Sequence, residues 1–143
     1  MKKLFSVLAA VLLLAFAAQA QPRAIGVRAG YAAQLSYQHT LGGENFLEAD
    51  LGWNLGFLGV GLSYDFSITP SAPVNFYVGP TIDLGGVPRA NMFVFGVGAQ
   101  LGIEYQFNFP LQLSLDWRPM YYRLGQNNAF GWEGLALGIR YRF

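Results

Sequence analysis

The sequence predicts an all-β fold, an antiparallel up-and-down transmembrane β-barrel of eight strands, on three observations. First, every second residue from Phe93 to Phe107 is apolar (Phe93, Phe95, Val97, Ala99, Leu101, Ile103, Tyr105, Phe107), and those between are mostly small or polar. A period of two means a strand with one apolar and one polar face. At about 3.3 Å per residue and a tilt near ~40°, a strand of this length rises roughly 35–40 Å, the thickness of a bilayer with its headgroups. Second, 53% of the chain is hydrophobic, yet beyond residue 20 no continuous apolar run is long enough for a spanning helix. Only a closed barrel satisfies every backbone group in lipid without helices. Third, the aromatic residues gather at the strand ends, leaving Val, Ala, Leu and Ile in the middles.

The elements follow in order. Residues 1–20 read as a secretory signal peptide: Lys2 and Lys3 form the basic start, Leu4 to Ala18 the apolar stretch, and Ala18-Gln19-Ala20 the small-x-small cleavage site. A transmembrane helix is the rival reading, but the stretch is short and no stop-transfer charges follow. Residues 21–143 then form the outer-membrane β-barrel domain. Its first strand sets Ile25, Val27, Ala29 and Tyr31 against Gly26, Arg28 and Gly30. Leu35, Tyr37 and His39 follow against Gln34, Ser36 and Gln38. After the turn Gly42-Gly43-Glu44-Asn45 come Leu47, Ala49, Leu51 and Trp53 against Glu48, Asp50, Gly52 and Asn54. Leu58, Val60, Leu62, Tyr64 and Phe66 then oppose Gly59, Gly61, Ser63, Asp65 and Ser67.

Thr69-Pro70-Ser71-Ala72-Pro73 is a turn. Beyond it Val74, Phe76, Val78, Ile82 and Leu84 oppose Asn75, Tyr77, Gly79, Thr81 and Asp83, with Pro80 weakening the run because proline cannot donate to a ladder. Gly85 to Asn91 is a loop before the long strand. Asn108 to Pro110 turns the chain into Leu111, Leu113, Leu115 and Trp117, opposite Gln112, Ser114, Asp116 and Arg118. Leu124 to Gly131 is the last loop, and Leu135, Leu137, Ile139, Tyr141 and Phe143 close the chain against Gly134, Ala136, Gly138, Arg140 and Arg142.

The count is seven or eight, depending on Tyr31 to Leu35. A three-residue turn over Ala32-Ala33-Gln34 pairs Tyr31 with Leu35 and Ala29 with Tyr37, same face to same face. Single-chain bacterial outer-membrane barrels have even strand numbers, which selects eight. With the chain ends in the periplasm, Tyr37, Tyr64, Phe66, Phe76, Tyr105, Phe107, Tyr141 and Phe143 fall at one rim. Tyr31, Trp53, Phe93, Phe95, Trp117 and Trp132 fall at the other, as two headgroup-level girdles require.

Charge and composition narrow the function classes. Both lysines lie in the signal peptide, so seven arginines face eight acidic residues in the barrel domain. That net of about −1 argues against nucleic acid as a partner, which selects a basic surface. There is no cysteine, so disulfides and thiolate metal sites are excluded. Alternation sends Arg28, Glu48, Asp50, Asp65, Asp83, Glu104, Asp116, Arg118, Arg140 and Arg142 to the lumen. Balanced charge in an interior just wide enough for side chains favours mutual pairing over a gated ion path.

The lumen glycines, Gly96-Val97-Gly98 among them, sit mid-strand. A phosphate loop needs a strand-to-helix junction, so close approach of opposite walls in a narrow barrel is the better account. The sole histidine, His39, has lipid-facing parity, away from Ser36 and Ser63, which argues against acyl transfer by a His-Ser pair. One histidine without cysteine also leaves no metal set. No catalytic, cofactor-binding or metal-binding residue is therefore assigned, and the chain is not expected to be an enzyme.

Three segments carry a resemblance: Gly102-Ile103-Glu104-Tyr105-Gln106-Phe107, Pro110-Leu111-Gln112-Leu113-Ser114-Leu115-Asp116-Trp117-Arg118-Pro119 and Leu137-Gly138-Ile139-Arg140-Tyr141-Arg142-Phe143. They resemble the small outer-membrane β-barrel proteins of Bacteroidota-type, Gram-negative bacteria. The resemblance implies an OmpX-like or OmpA-like barrel of eight strands with no shared catalytic set. It also implies that the terminal aromatic, Phe143, is read by the barrel assembly machinery. The expected surroundings are the lipid bilayer and its lipopolysaccharide, with a further outer-membrane protein as a possible partner. The expected role is structural or accessory in the envelope, including that of a small subunit in a larger complex. The alternatives are a narrow porin-like transport protein and a lipid A-modifying enzyme.

Overall fold

The computed structural model describes residues 6–7, 21–30, 32–41, 44–54, 57–69 and 73–142. Alternation of small and apolar residues with few breakers draws nearly all of them past residue 20 into strands. These are β1 (Gln21–Gly30), β2 (Ala33–Thr40), β3 (Phe46–Asn54), β4 (Phe57–Ser67), β5 (Val74–Val87), β6 (Met92–Gln106), β7 (Leu111–Trp117), β8 (Met120–Leu124), β9 (Asn127–Gly131) and β10 (Leu135–Arg142). Each strand pairs antiparallel with its neighbours, and the sheet closes through β5 with β6 and β1 with β10. β8 continues β7 past Arg118-Pro119, since both pair with β6, and β9 likewise leads into β10. The result is a closed eight-stranded antiparallel up-and-down barrel.

Its layering is inverted relative to an ordinary globular protein. Among the described residues eighteen polar or charged side chains are buried against six apolar ones. Leu51, Leu58, Val60, Leu101, Leu115, Leu137 and Ile139 meanwhile point outward and exposed. Apart from those of Arg23 and Arg142, the faces are those that alternation assigns. The start of β1 and the end of β10 lie at one end of the barrel, called proximal here. The β1–β2, β3–β4, β5–β6 and β8–β9 turns lie at the other, distal end.

Four sequence expectations are corrected or refined. Val27 pairs with Leu35 and Ile25 with Tyr37, so the β1–β2 turn lies nearer Gly30 than the expected turn over Ala32-Ala33-Gln34, and Ala29 meets Ala33 instead of Tyr37. Both registers keep every side chain on its own face, so alternation cannot distinguish them. Second, β5 runs straight through Pro80. Its ladder to β6 is continuous there, and its ladder to β4 skips Tyr64 and Asp65 while keeping the same register on either side. The residue that cannot donate thus stands at a gap. At that gap a Cβ on Gly79 would lie 1.7 Å from the Tyr64 carbonyl oxygen, so only glycine fits.

Third, Leu124 to Gly131 is mostly strand. Leu124 pairs with Asn127 around a two-residue turn in which Gly125 has φ 63°, the position where a type II′ hairpin takes glycine. Asn127-Asn128-Ala129 carries no apolar alternation, which hid the strand. Fourth, the inward glycines mostly relieve contacts between adjacent strands, not opposite walls. Gly102, for example, is paired with Tyr77, whose ring occupies the place a Cβ would take. The segment 1–20 lies outside the described residues apart from Ser6 and Val7. So do Tyr31, Gly42, Gly43, Leu55, Gly56, Pro70, Ser71, Ala72 and Phe143.

Candidate functional site

Among the described residues the barrel interior gathers most of the charged side chains, and its two ends differ. Around mid-lumen, Arg28 from β1 donates through Nε to Asp116 Oδ2 at 3.1 Å and through Nη2 to Asp116 Oδ1. Its Nη1 donates to Gln34. Arg118, just beyond β7, crosses the lumen to β3, where Nη2 donates to Glu48 at 2.7 Å and Asp50 at 2.5 Å. Arg140 from β10 donates to Ser36 at 3.0 Å and Ser114 at 2.6 Å, and it stands 3.2 Å from Glu48. Three guanidinium groups therefore converge on Glu48, which also accepts from Gln38 at 2.6 Å. All these charged side chains are fully buried, so the pairs hold one another in place and offset the cost of desolvation.

Toward the proximal end the contacts between charged and aromatic side chains continue. Arg23 donates to Gln38 at 2.5 Å and makes two bonds to Glu104, which also accepts from Asn75 at 2.9 Å. The Arg23 guanidinium lies 4.0 Å above the Phe46 ring, and Phe46 meets Tyr77 edge-on at 5.4 Å. Phe46 and Tyr77 are both buried, so a cation, two rings and a carboxylate fill the floor.

Arg23 was not legible as a lumen residue. Its odd number places it with the outward set, but the register shifts between Pro22 and Ala24, and this bulge turns its side chain inward. Arg142, in contrast, was expected in the lumen and sits at the rim. It bonds Gln106 at 3.1 Å and the Phe107 carbonyl at 2.6 Å, bracing the proximal turn. The other charged residues expected inside are all buried there.

The distal end is different. Inward positions near it are occupied by Gly52, Gly59 and Gly61, and a cavity of about 240 Å³ opens between them, Val94, Tyr122 and Leu124. Asp83 lines it, buried to 8% exposure, with Oδ2 accepting from the Tyr122 hydroxyl at 3.3 Å and Oδ1 without a partner. Tyr122 and Leu124 belong to β8, which the sequence did not resolve as a strand.

His39 is half-buried on the outer face and shares a 2.7 Å hydrogen bond with the Tyr37 hydroxyl. The two serines stand inside: Ser36 accepts from Arg140, and Ser63 donates to Thr81 at 2.7 Å. The fold thus does not bring His39 together with either serine. Among the described residues no group of three or more His, Cys, Asp or Glu side chains is arranged to hold a metal ion. No protein-family model matches the chain, and no curated protein and no solved structure matches it either.

Proposed function

We propose that the protein is an integral outer-membrane β-barrel with a structural or accessory role in the envelope, exported by the signal peptide of residues 1–20. The observation that carries this reading is the inverted layering: a continuous apolar exterior around an interior of cross-linked arginines and carboxylates. Such a surface is stable only against lipid, because contiguous exposed apolar area of this extent would associate in water. The resemblance to small Bacteroidota-type, OmpX-like barrels agrees with the strand number and the short distal turns. The lipid bilayer is then the principal partner, the assembly machinery acts during insertion, and an outer-membrane protein is accommodated on the barrel wall. The filled lumen counts against a porin-like role, and the separation of His39 from Ser36 and Ser63 counts against lipid A acyl transfer.

Expression in a Gram-negative host followed by membrane fractionation tests the proposal. The protein should band with the outer membrane, resist alkaline extraction and migrate faster on gels when unheated than when boiled. Recovery in the soluble periplasmic fraction would overturn it.

A further inference from the structure

We infer that the distal cavity is a binding site for a small primary ammonium ion, with Asp83 as its anchor. Three observations lead there. The cavity is enclosed chiefly by glycine backbone and by Val94, Leu124 and Ala32, so it offers an apolar seat. It is smaller than the roughly 300–1,000 Å³ of drug-sized pockets, which limits the ligand to a few carbons. Among the described residues Asp83 is the only charged side chain that lines it.

The second observation is electrostatic. Within the lumen Arg23, Arg28, Arg118 and Arg140 face Glu48, Asp50, Asp65, Asp83, Glu104 and Asp116, two carboxylates more than the arginines, since Arg142 stands at the rim. Glu48, Asp50, Glu104 and Asp116 each have an arginine within 4.0 Å, whereas Asp65 and Asp83 have none among the described residues. Asp65 is sealed at mid-lumen, where it accepts from Gln100 at 3.2 Å. Asp83 alone of the two borders the cavity, and its Oδ1 has no hydrogen-bond donor. A buried carboxylate oxygen without a donor destabilises the fold, and an incoming N–H satisfies it.

The third observation is the space itself. Gly61 is paired with Asp83, and a Cβ there would come 2.7 Å from Oδ1 and 3.3 Å from Arg118 Nη1, so glycine keeps that oxygen uncovered beside a guanidinium already engaged by Glu48 and Asp50. The ammonium would donate to Oδ1 while its alkyl body rests on Val94 and Leu124. A divalent cation fits poorly, since it needs several oxygen ligands and the cavity supplies one carboxylate.

Calorimetric titration of the folded full-length protein in micelles tests the site, with n-butylammonium as probe and n-butanol and magnesium chloride as controls. Saturable one-site binding of n-butylammonium alone is expected. Asp83→Asn should weaken it about tenfold or more, the worth of a hydrogen bond to a charged group. Leu124→Trp, which keeps the carboxylate and fills the seat, should weaken it too, and heat-dependent gel mobility checks that each variant is folded. No saturable binding, binding unchanged in folded Asp83→Asn, equal binding of n-butanol, or magnesium in place of the ammonium would each overturn the assignment.

Discussion

The proximal and distal halves of the lumen have the same wall and opposite contents. From mid-lumen to the proximal end, arginines and carboxylates from strands across the barrel interlock above a floor of Phe46 and Tyr77. In the distal half, glycines replace those side chains, leaving a cavity and one carboxylate without an ion-pair partner within 4.0 Å among the described residues. Closure of a narrow barrel therefore does not by itself determine what fills it. Alternation decides which residues face inward, and side-chain size decides whether that face becomes a plug or a pocket. A plug of buried charge adds rigidity only when every member is satisfied.

The comparison breaks most sharply at Arg118, which links Glu48, Asp50 and Gln100. Arg118→Met should lower unfolding free energy by about 3–5 kcal/mol, because removing one member of a buried pair strands the other. Urea unfolding in lipid vesicles measures this, and a loss below about 1 kcal/mol would mean the plug does not hold the walls together.

A somewhat smaller effect sharpens the contrast between inside and outside. Leu101 points outward from the middle of β6, paired with Val78 and Trp117. Leu101→Arg should cost about 2–4 kcal/mol in a bilayer, the penalty for arginine near the midplane. Comparable stability of this variant and the parent in the same vesicles would place Leu101 away from lipid.

Two glycines distinguish wall from pocket at the smallest scale. Gly79→Ala forces a Cβ toward the Tyr64 carbonyl, where only backbone can yield, so it should cost about 1–3 kcal/mol. Gly52→Ala meets only the Gln34 side chain, at 3.0 Å beside the cavity, and should change stability by less than about 0.5 kcal/mol. The reverse order in thermal unfolding would show that the glycines serve another purpose.

Much of this was legible in the sequence, for a physical reason. Side chains alternate along a strand, so parity alone assigned Leu101 outward and Arg28, Glu48 and Arg118 inward. Parity is blind to shifts that preserve it, which is why the β1–β2 register was placed differently. It fails at a bulge, which is why Arg23 was missed. It also gives no signal in Asn127-Asn128-Ala129, so β9 went unread, and with it the hairpin whose other strand, β8, brings Tyr122 and Leu124 to the distal cavity. The pairing of charges was foreseeable from their balance. Which carboxylate would be left over was not, because that depends on contacts across the lumen and not along any strand.

Planar-bilayer recording from the purified, refolded protein tests the central claim most directly, that the plug of arginines and carboxylates closes the lumen. The account predicts no stable conductance above the bare-membrane level, because Arg28, Arg118 and Arg140 bridge the walls and leave no continuous water path. A reproducible, ion-selective channel in the parent protein would contradict it.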